Sequence, residues 1–138
     1  MKKYEIKIIY DQNTKDFEDI EIFVKNHSNG NFFQSTKTFL LYDSIHNYKP
    51  FFIIVRYKKS IVATLLAVQQ HETGVLKKYF SKRCIVTGGP LLINNDNELI
   101  SIILNVLDEE NKNVIYTEIR NLFKIDLLDE YFIKSGYL

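Results

Sequence analysis

The sequence predicts an α/β (α+β) domain built on a mixed, mostly antiparallel central sheet flanked by helices. Two observations carry that expectation. Apolar residues make up 46% of the 138 residues, which suits a chain with a packed core and excludes a disordered one. Strand-like and helix-like hydrophobic periods also alternate along the chain, with no repeat, low-complexity tract or linker between them.

Tyr4-Glu5-Ile6-Lys7-Ile8 alternates with period two, the pattern of a strand with one buried face. A polar turn at Asp11-Gln12-Asn13-Thr14 follows. Phe17, Ile20 and Val24 then share one helical face, predicting a helix over Asp16 to Asn26 that Asn29-Gly30 closes in the left-handed conformation. A second helix is expected from Thr36 to Ile45, capped by Ser35, with Leu41 and Ile45 facing inward. Pro50 to Val55 is an almost unbroken apolar run of central-strand length. Lys58-Lys59-Ser60 breaks it, and Ile61 to Val68 returns as the other arm of a hairpin. Val75 to Phe80 and Arg83 to Thr87 read as one long strand, or as two short ones around Ser81-Lys82. Gly88-Gly89-Pro90 ends that sheet segment abruptly. Asn95 and Glu98 form a capping-box-like pair ahead of a helix with a stripe of Leu99, Ile103 and Val106, widened by Ile100, Ile102 and Leu107. Val114 to Ile119 is a further strand, and Asp126 to Lys134 a last helix closed by Gly136.

The resulting order, β-α-α-β-β-β-α-β-α, matches the acetyltransferase-like (GNAT) fold up to the point where its final two strands would begin. Residues 1–138 are therefore expected to form a single GNAT-like domain lacking those strands, the N-terminal half of a larger two-half protein. With 18 basic and 17 acidic residues the formal net charge is +1, too small for a whole-domain grip on a nucleic-acid backbone, so DNA is not an expected partner. Cys84 is the only cysteine, which rules out an intrachain disulfide framework and suits a reducing, cytoplasmic setting. The longest apolar run, Phe51 to Val55, falls far short of the roughly 20 residues of a membrane helix. Contact with a membrane surface stays open.

Three stretches carry a resemblance to a known family: Gly30-Asn31-Phe32-Phe33-Gln34-Ser35, Arg83-Cys84-Ile85-Val86-Thr87-Gly88-Gly89-Pro90-Leu91, and Tyr116-Thr117-Glu118-Ile119-Arg120. In order and spacing they resemble the first of the two GNAT-like halves of the FemABX family, over about Asp16 to Tyr137. The resemblance implies transfer of an aminoacyl group to an amine of a peptidoglycan precursor. Aminoacyl-tRNA would be the donor substrate, no cofactor would be needed, and both halves would contribute to the site. One departure stands out. Many members carry tryptophan just after the phenylalanine–glutamine motif, whereas this chain has none and shows Thr38 or Phe39 there.

Seven residues are candidates for substrate binding. Tyr116, Glu118 and Arg120 are two apart on a strand and share a face, where Arg120 could hold a phosphate or carboxylate through its planar fork; the alternative is a plain same-face ion pair. Gln34 and Lys37 start the second helix, where N–H groups favour an anion; the alternative is a cap beside a solvated lysine. Phe33 is a candidate cleft wall, and Gly89 lies where acetyltransferases keep their pyrophosphate loop. In that loop Pro90 removes a donor and Leu91-Leu92-Ile93 adds bulk, which speaks against coenzyme A and for a structural turn. The histidines His27, His46 and His71 lack metal-ligand spacing, and Cys84 reads as a buried thiol. No catalytic residue or general base is assigned. Two other functions stay open: a non-catalytic module binding a cell-envelope precursor or partner protein, and, with less support, a coenzyme A-dependent N-acetyltransferase.

Overall fold

The computed structural model describes residues 2–12, 15–123 and 129–137. Its centre is the hairpin of β2 (Tyr48–Tyr57) and β3 (Ser60–Gln70), whose Phe51 to Val55 and Ala63 to Val68 are essentially buried on both faces, as a central strand pair requires. Lys58 and Lys59 turn the hairpin with positive φ of 48° and 69°, the twist that two-residue hairpin loops favour. β1 (Tyr4–Ile9) pairs antiparallel with β2, and β4 (Arg83–Thr87) antiparallel with β3. β6 (Tyr116–Arg120) joins β4 in parallel, giving the order β1-β2-β3-β4-β6. The short β5 (Leu91–Leu92) pairs with Ala63 and Thr64 of β3, on the same side as β4. The mixed, mostly antiparallel sheet with flanking helices is thus the observed architecture.

Helices cover both faces. α4 (Asn97–Glu110) and α5 (Asp129–Lys134) lie on the face of Phe51, Ile53, Val55, Cys84 and Val86; Ile100, Ile103, Leu104 and Leu107 meet those side chains. α1 (Asp16–Asn26) and α2 (Thr36–Asp43) cover the other face, where Ile20, Val24 and Phe39 pack on Phe52, Ile54 and Leu66. Phe39 is stacked on Phe52, and Phe17 meets both edge-on. Burial pushes the Cys84 thiol up to about 11, so it should stay inert to alkylating reagents in the folded chain and react once urea unfolds it.

Four local readings are corrected. Val75–Ser81 is a helix, α3, rather than a strand. Leu76 and Phe80 are four apart, a helical spacing, and both are highly exposed. In α2 the inward residues are Thr36, Thr38 and Phe39, while Leu41 is exposed; the aromatic contact with Phe17 and Phe52 sets the helix rotation. The cap of α4 is Asp96, whose carboxylate accepts from Glu98 N (2.8 Å) and Leu99 N (3.4 Å), rather than Asn95. α1 ends at an extended His27, and Gly30 serves close approach instead, since a Cβ there would sit 1.9 Å from the Val24 carbonyl oxygen. Of the last helix, 129–134 are seen as α5, with Gly136 at φ 89° beyond it; the expected positions 126–128 lie outside the described residues, as do Asn13 and Thr14 of the first turn. Among the described residues, no helix is long and apolar enough to cross a membrane.

One ion-pair network ties α1 to the sheet. Asp16 accepts from Lys7 (2.5 Å) and Arg56 (2.8 Å), and Arg56 also reaches Asp19 (2.8 Å). Partial burial works against ionisation of Asp16, but the hydrogen bonds from Lys7 and Arg56 outweigh it and hold the carboxyl below its ordinary 3.8. A carboxylate depressed in the folded state stabilises above its unfolded pKa, and that contribution is lost as pH falls through the folded value. Asp16→Asn should therefore lower the urea midpoint at pH 7, with the gap to the parent closing as pH falls below about 4.

Candidate functional site

β4 and β6 run parallel with Arg83 beside Tyr116, Ile85 beside Glu118 and Thr87 beside Arg120. Strand alternation sends these six side chains to one face and Cys84, Val86, Thr117 and Ile119 to the other. Thr117 bonds Asn111 at the end of α4 (3.0 Å), so the six belong to the face of α1 and α2. Those two helices pack over β1 to β3. β4 and β6 are left as a shelf beside them, walled by Tyr42 of α2, which packs on Tyr48. Burial raises the Tyr42 phenol, Tyr48 adds to the rise, and the charge of Arg120 opposes it.

On the shelf Arg120 donates through Nε (2.9 Å) and Nη2 to Glu118 (3.2 Å). That hydrogen-bonded fork holds the Glu118 carboxyl below the usual range, and Arg83 pulls in the same direction. Glu118 in turn raises Arg120. Both side chains are about half exposed, so the pair adds little stability. Its chemical use is different. Two arginines on one carboxylate leave a net positive shelf, and a guanidinium with five donors can still offer some outward. Arg83 also donates to Gln70 (3.3 Å), which orients it.

The C-terminal end of this strand pair is where the three motif stretches meet. Asn31 caps the 3-10 turn Phe32–Gln34 by accepting from Phe33 N (3.0 Å), and its amide donates to the Gly88 carbonyl (2.8 Å). Gly88 N donates to the Arg120 carbonyl (2.8 Å). Gln34, fully buried, donates through Nε2 to the carbonyls of Thr87 (2.8 Å) and Leu66 (3.2 Å) and accepts from Leu66 N (2.8 Å). Leu66 lies between the part of β3 that pairs with β4 and the part that pairs with β5. The Gln34 amide thus fills the gap in the ladder where the chain leaves β3 at Gly88-Gly89-Pro90 and returns as Leu91. A Cβ on Gly88, at φ 72°, would meet Asn31 at 2.6 Å, and one on Gly89 would meet the Gln34 amide at 2.6 Å.

Of the seven candidates, the fold gathers Tyr116, Glu118 and Arg120 on the shelf and brings Phe33, exposed beside Phe32, to the Gly88 end of it. Lys37 is exposed on the first turn of α2. Gln34 and Gly89 are buried beneath the surface, their amide and backbone packed against each other. Arg83, Tyr42 and Tyr48 complete the shelf and were not singled out from sequence. For Arg83 the signal was present, since it is two residues from Ile85 on a strand paired to β6. The tyrosines gave none, because one comes from a helix and the other from the far end of β2.

The Gly88-Gly89-Pro90 turn is closely packed by Asn31 and Gln34. All three residues are buried, Gly88 N is already bonded, and the start of α4 is occupied by the Asp96 carboxylate with Glu98 in the first turn. Among the described residues no cluster of His, Cys, Asp and Glu is placed to hold a metal. His27 is structural: Nδ1 accepts from Asn29 N (3.0 Å), so Nε2 donates to the Leu92 carbonyl (2.8 Å). A cleft of about 460 Å³ between α1 and the β2–β3 hairpin holds Arg56, Asp19 and His27, but their polar groups are committed to one another or to backbone.

No family model matches the chain, and no curated protein sequence does. Its fold is that of solved GNAT acetyltransferases. The structure of AAC(6')-Iy with a coenzyme A-linked bisubstrate analogue superposes with a TM-score of 0.66 at 10% identity, over 99% of this chain and 91% of that one. A predicted acetyltransferase from Clostridium acetobutylicum, solved with acetyl-CoA, gives 0.63 at 13% identity over 99% and 90%. A GCN5-related N-acetyltransferase from Ralstonia eutropha gives 0.63 at 10% over 99% and 93%.

Proposed function

We propose that this chain belongs to an N-acyltransferase and supplies its acceptor site, the shelf of Arg83, Glu118 and Arg120, with an aminoacyl ester rather than an acyl-coenzyme A as donor. The observation that carries the reading is the convergence of Asn31 to Gln34, Thr87 to Pro90 and Tyr116 to Arg120 at one end of the parallel strand pair. It turns the three stretches that resemble FemABX proteins into one unit under one surface. The filled glycine turn and the self-capped α4 support the choice of donor. The acceptor that suits a net positive shelf beside exposed aromatics is an amine-bearing peptide that also carries a carboxylate or phosphate, as the stem of a peptidoglycan precursor does. Transfer would consist of attack by that amine on the ester carbon, with loss of the alcohol leaving group. This chain's share is to hold the acceptor by its anion and orient the amine.

Calorimetric titration with a stem peptide bearing a free amine and a terminal carboxylate tests the reading. Saturable binding is expected, and Arg120→Ala should weaken it about tenfold to a hundredfold, the loss of one charge-assisted fork. Binding that ignores Arg120 would overturn the assignment. A second reading, a coenzyme A-dependent N-acetyltransferase, is favoured by the bound donors of the fold relatives, one solved with acetyl-CoA. A rise in melting temperature with acetyl-CoA and none with the stem peptide would establish it instead.

A further inference from the structure

We propose that the cleft between α1 and the β2–β3 hairpin binds a small apolar carboxylate, its hydrocarbon part against Ile22, Phe23, Ile61 and Ile93 and its head group on the ammonium of Lys59. The cleft encloses about 460 Å³, within the roughly 300–1,000 Å³ of small-molecule sites. Asp19, Ile22, Phe23 and Asn26 line it from α1, and their i, i+3, i+4, i+7 spacing makes one helical stripe. The core does not need that stripe. Ile20 and Val24 are the α1 residues buried against the sheet, whereas Ile22 is 60% exposed. Ile61, almost buried, and Ile93, 38% exposed, line the cleft from β3 and from the turn after β5. Apolar walls on both sides of an open concavity favour an apolar occupant. None of the lining residues belongs to β4 or β6, so the site is separate from the shelf and independent of the function proposed for it.

The charges around the cleft select the head group. Arg56 binds Asp16, Asp19 and, through Nη1, the carbonyl of Lys59 (3.0 Å), which pins the hairpin turn against α1. With Lys7 also on Asp16, two carboxylates are matched by two cations. Lys59 is left over: it is exposed, and no carboxylate among the described residues pairs with it. The cleft therefore carries one uncompensated positive charge at its rim, which suits a monoanion. A phosphate monoester, with a charge of about −1.5 to −2, would gain attraction to Lys59 but would also meet Asp19 and the carbonyl end of α1 at Asn26 and His27. Both repel negative charge, so a carboxylate fits this lining better than a phosphate.

Titration of the 138-residue chain with octanoate, followed through its amide NMR signals, tests the site. Saturating shifts are expected at Ile22 to His27, Lys59 to Ile61 and Ile93. Octanol, with the same chain length and no charge, should bind about two- to fivefold more weakly, the effect of one exposed ion pair. Lys59→Ala should bring octanoate down to the level of octanol and leave octanol unchanged. Ile22→Asp, at an exposed position where circular dichroism should report an unchanged fold, should weaken octanoate by about tenfold or more. Octyl phosphate should bind no more tightly than octanoate. Shifts that do not saturate, or that scatter over the exposed Leu76 and Phe80, overturn the proposal, and so does octanoate binding that ignores Lys59→Ala. The same shifts produced by raising the protein concentration alone would also overturn it, marking the cleft as a contact between copies of the chain.

Discussion

Gln34→Ala should unfold in urea at a far lower midpoint than the parent, losing about 3–5 kcal/mol, although it removes no charge and little apolar area. The substitution strands the N–H and carbonyl of Leu66 and the carbonyl of Thr87, all of which the Gln34 amide satisfies inside the protein. Each unsatisfied buried group costs about 1–3 kcal/mol, and partial entry of water accounts for the sum falling short of the maximum. Domains of this size are stable by only about 5–15 kcal/mol, so the variant should be partly unfolded under mild conditions. Gln34→Glu discriminates this account from a simple cavity effect. The carboxylate can accept from Leu66 N but cannot donate to the two carbonyls, and burial disfavours its charge. Its folded pKa is raised above the unfolded one, so the variant should be least stable at neutral pH and recover as pH falls and the group binds a proton. A Gln34→Glu chain as stable as the parent at pH 7 would show that the ladder does not depend on the amide.

Phe39→Ala should cost a similar amount, about 3–5 kcal/mol, through a cavity rather than through stranded polar groups. Phe39 is fully buried, stacked on Phe52 and met edge-on by Phe17, so one ring joins α1, α2 and β2. Its loss should loosen α2 and with it Tyr42, the wall of the shelf. Leu41→Ala, two residues on and exposed, should change stability by no more than about 0.5 kcal/mol. Chemical denaturation of the two variants measures the contrast directly. Equal losses would mean that α2 is rotated from the orientation described.

The pair of variants also marks where sequence reading succeeded and where it stopped. The bounds of α1, the β2–β3 hairpin and the Leu99, Ile100, Ile103 and Leu107 part of the buried stripe of α4 were legible because hydrophobic period and turn chemistry agree there locally, whereas the fully buried Leu104 was missed and Val106 is only partly buried. The same alternation put Tyr116, Glu118 and Arg120 on one face without any coordinates. For α2 the apolar residues Phe39, Leu40, Leu41 and Ile45 allow more than one inward face, and only packing against Phe17 and Phe52 selects Phe39. Val75–Ser81 holds a mixed apolar pattern that strand and helix both tolerate, and Leu76 and Phe80 end up exposed, so no core contact announces the helix.

By itself, the sequence determined the α/β class and the order of the larger elements, since each depends on spacing within a few residues, and it singled out three short stretches. Only the tertiary structure decided what those stretches are to one another. Gln34 reads as a candidate ligand-binding amide at a helix start, yet it serves as a surrogate peptide group in a ladder 32 residues away in sequence. Gly89 reads as part of a phosphate loop, yet it is the surface that amide rests on. Hydrogen-bond demand from a backbone gap is a property of three-dimensional neighbours, and no local pattern of residues carries it.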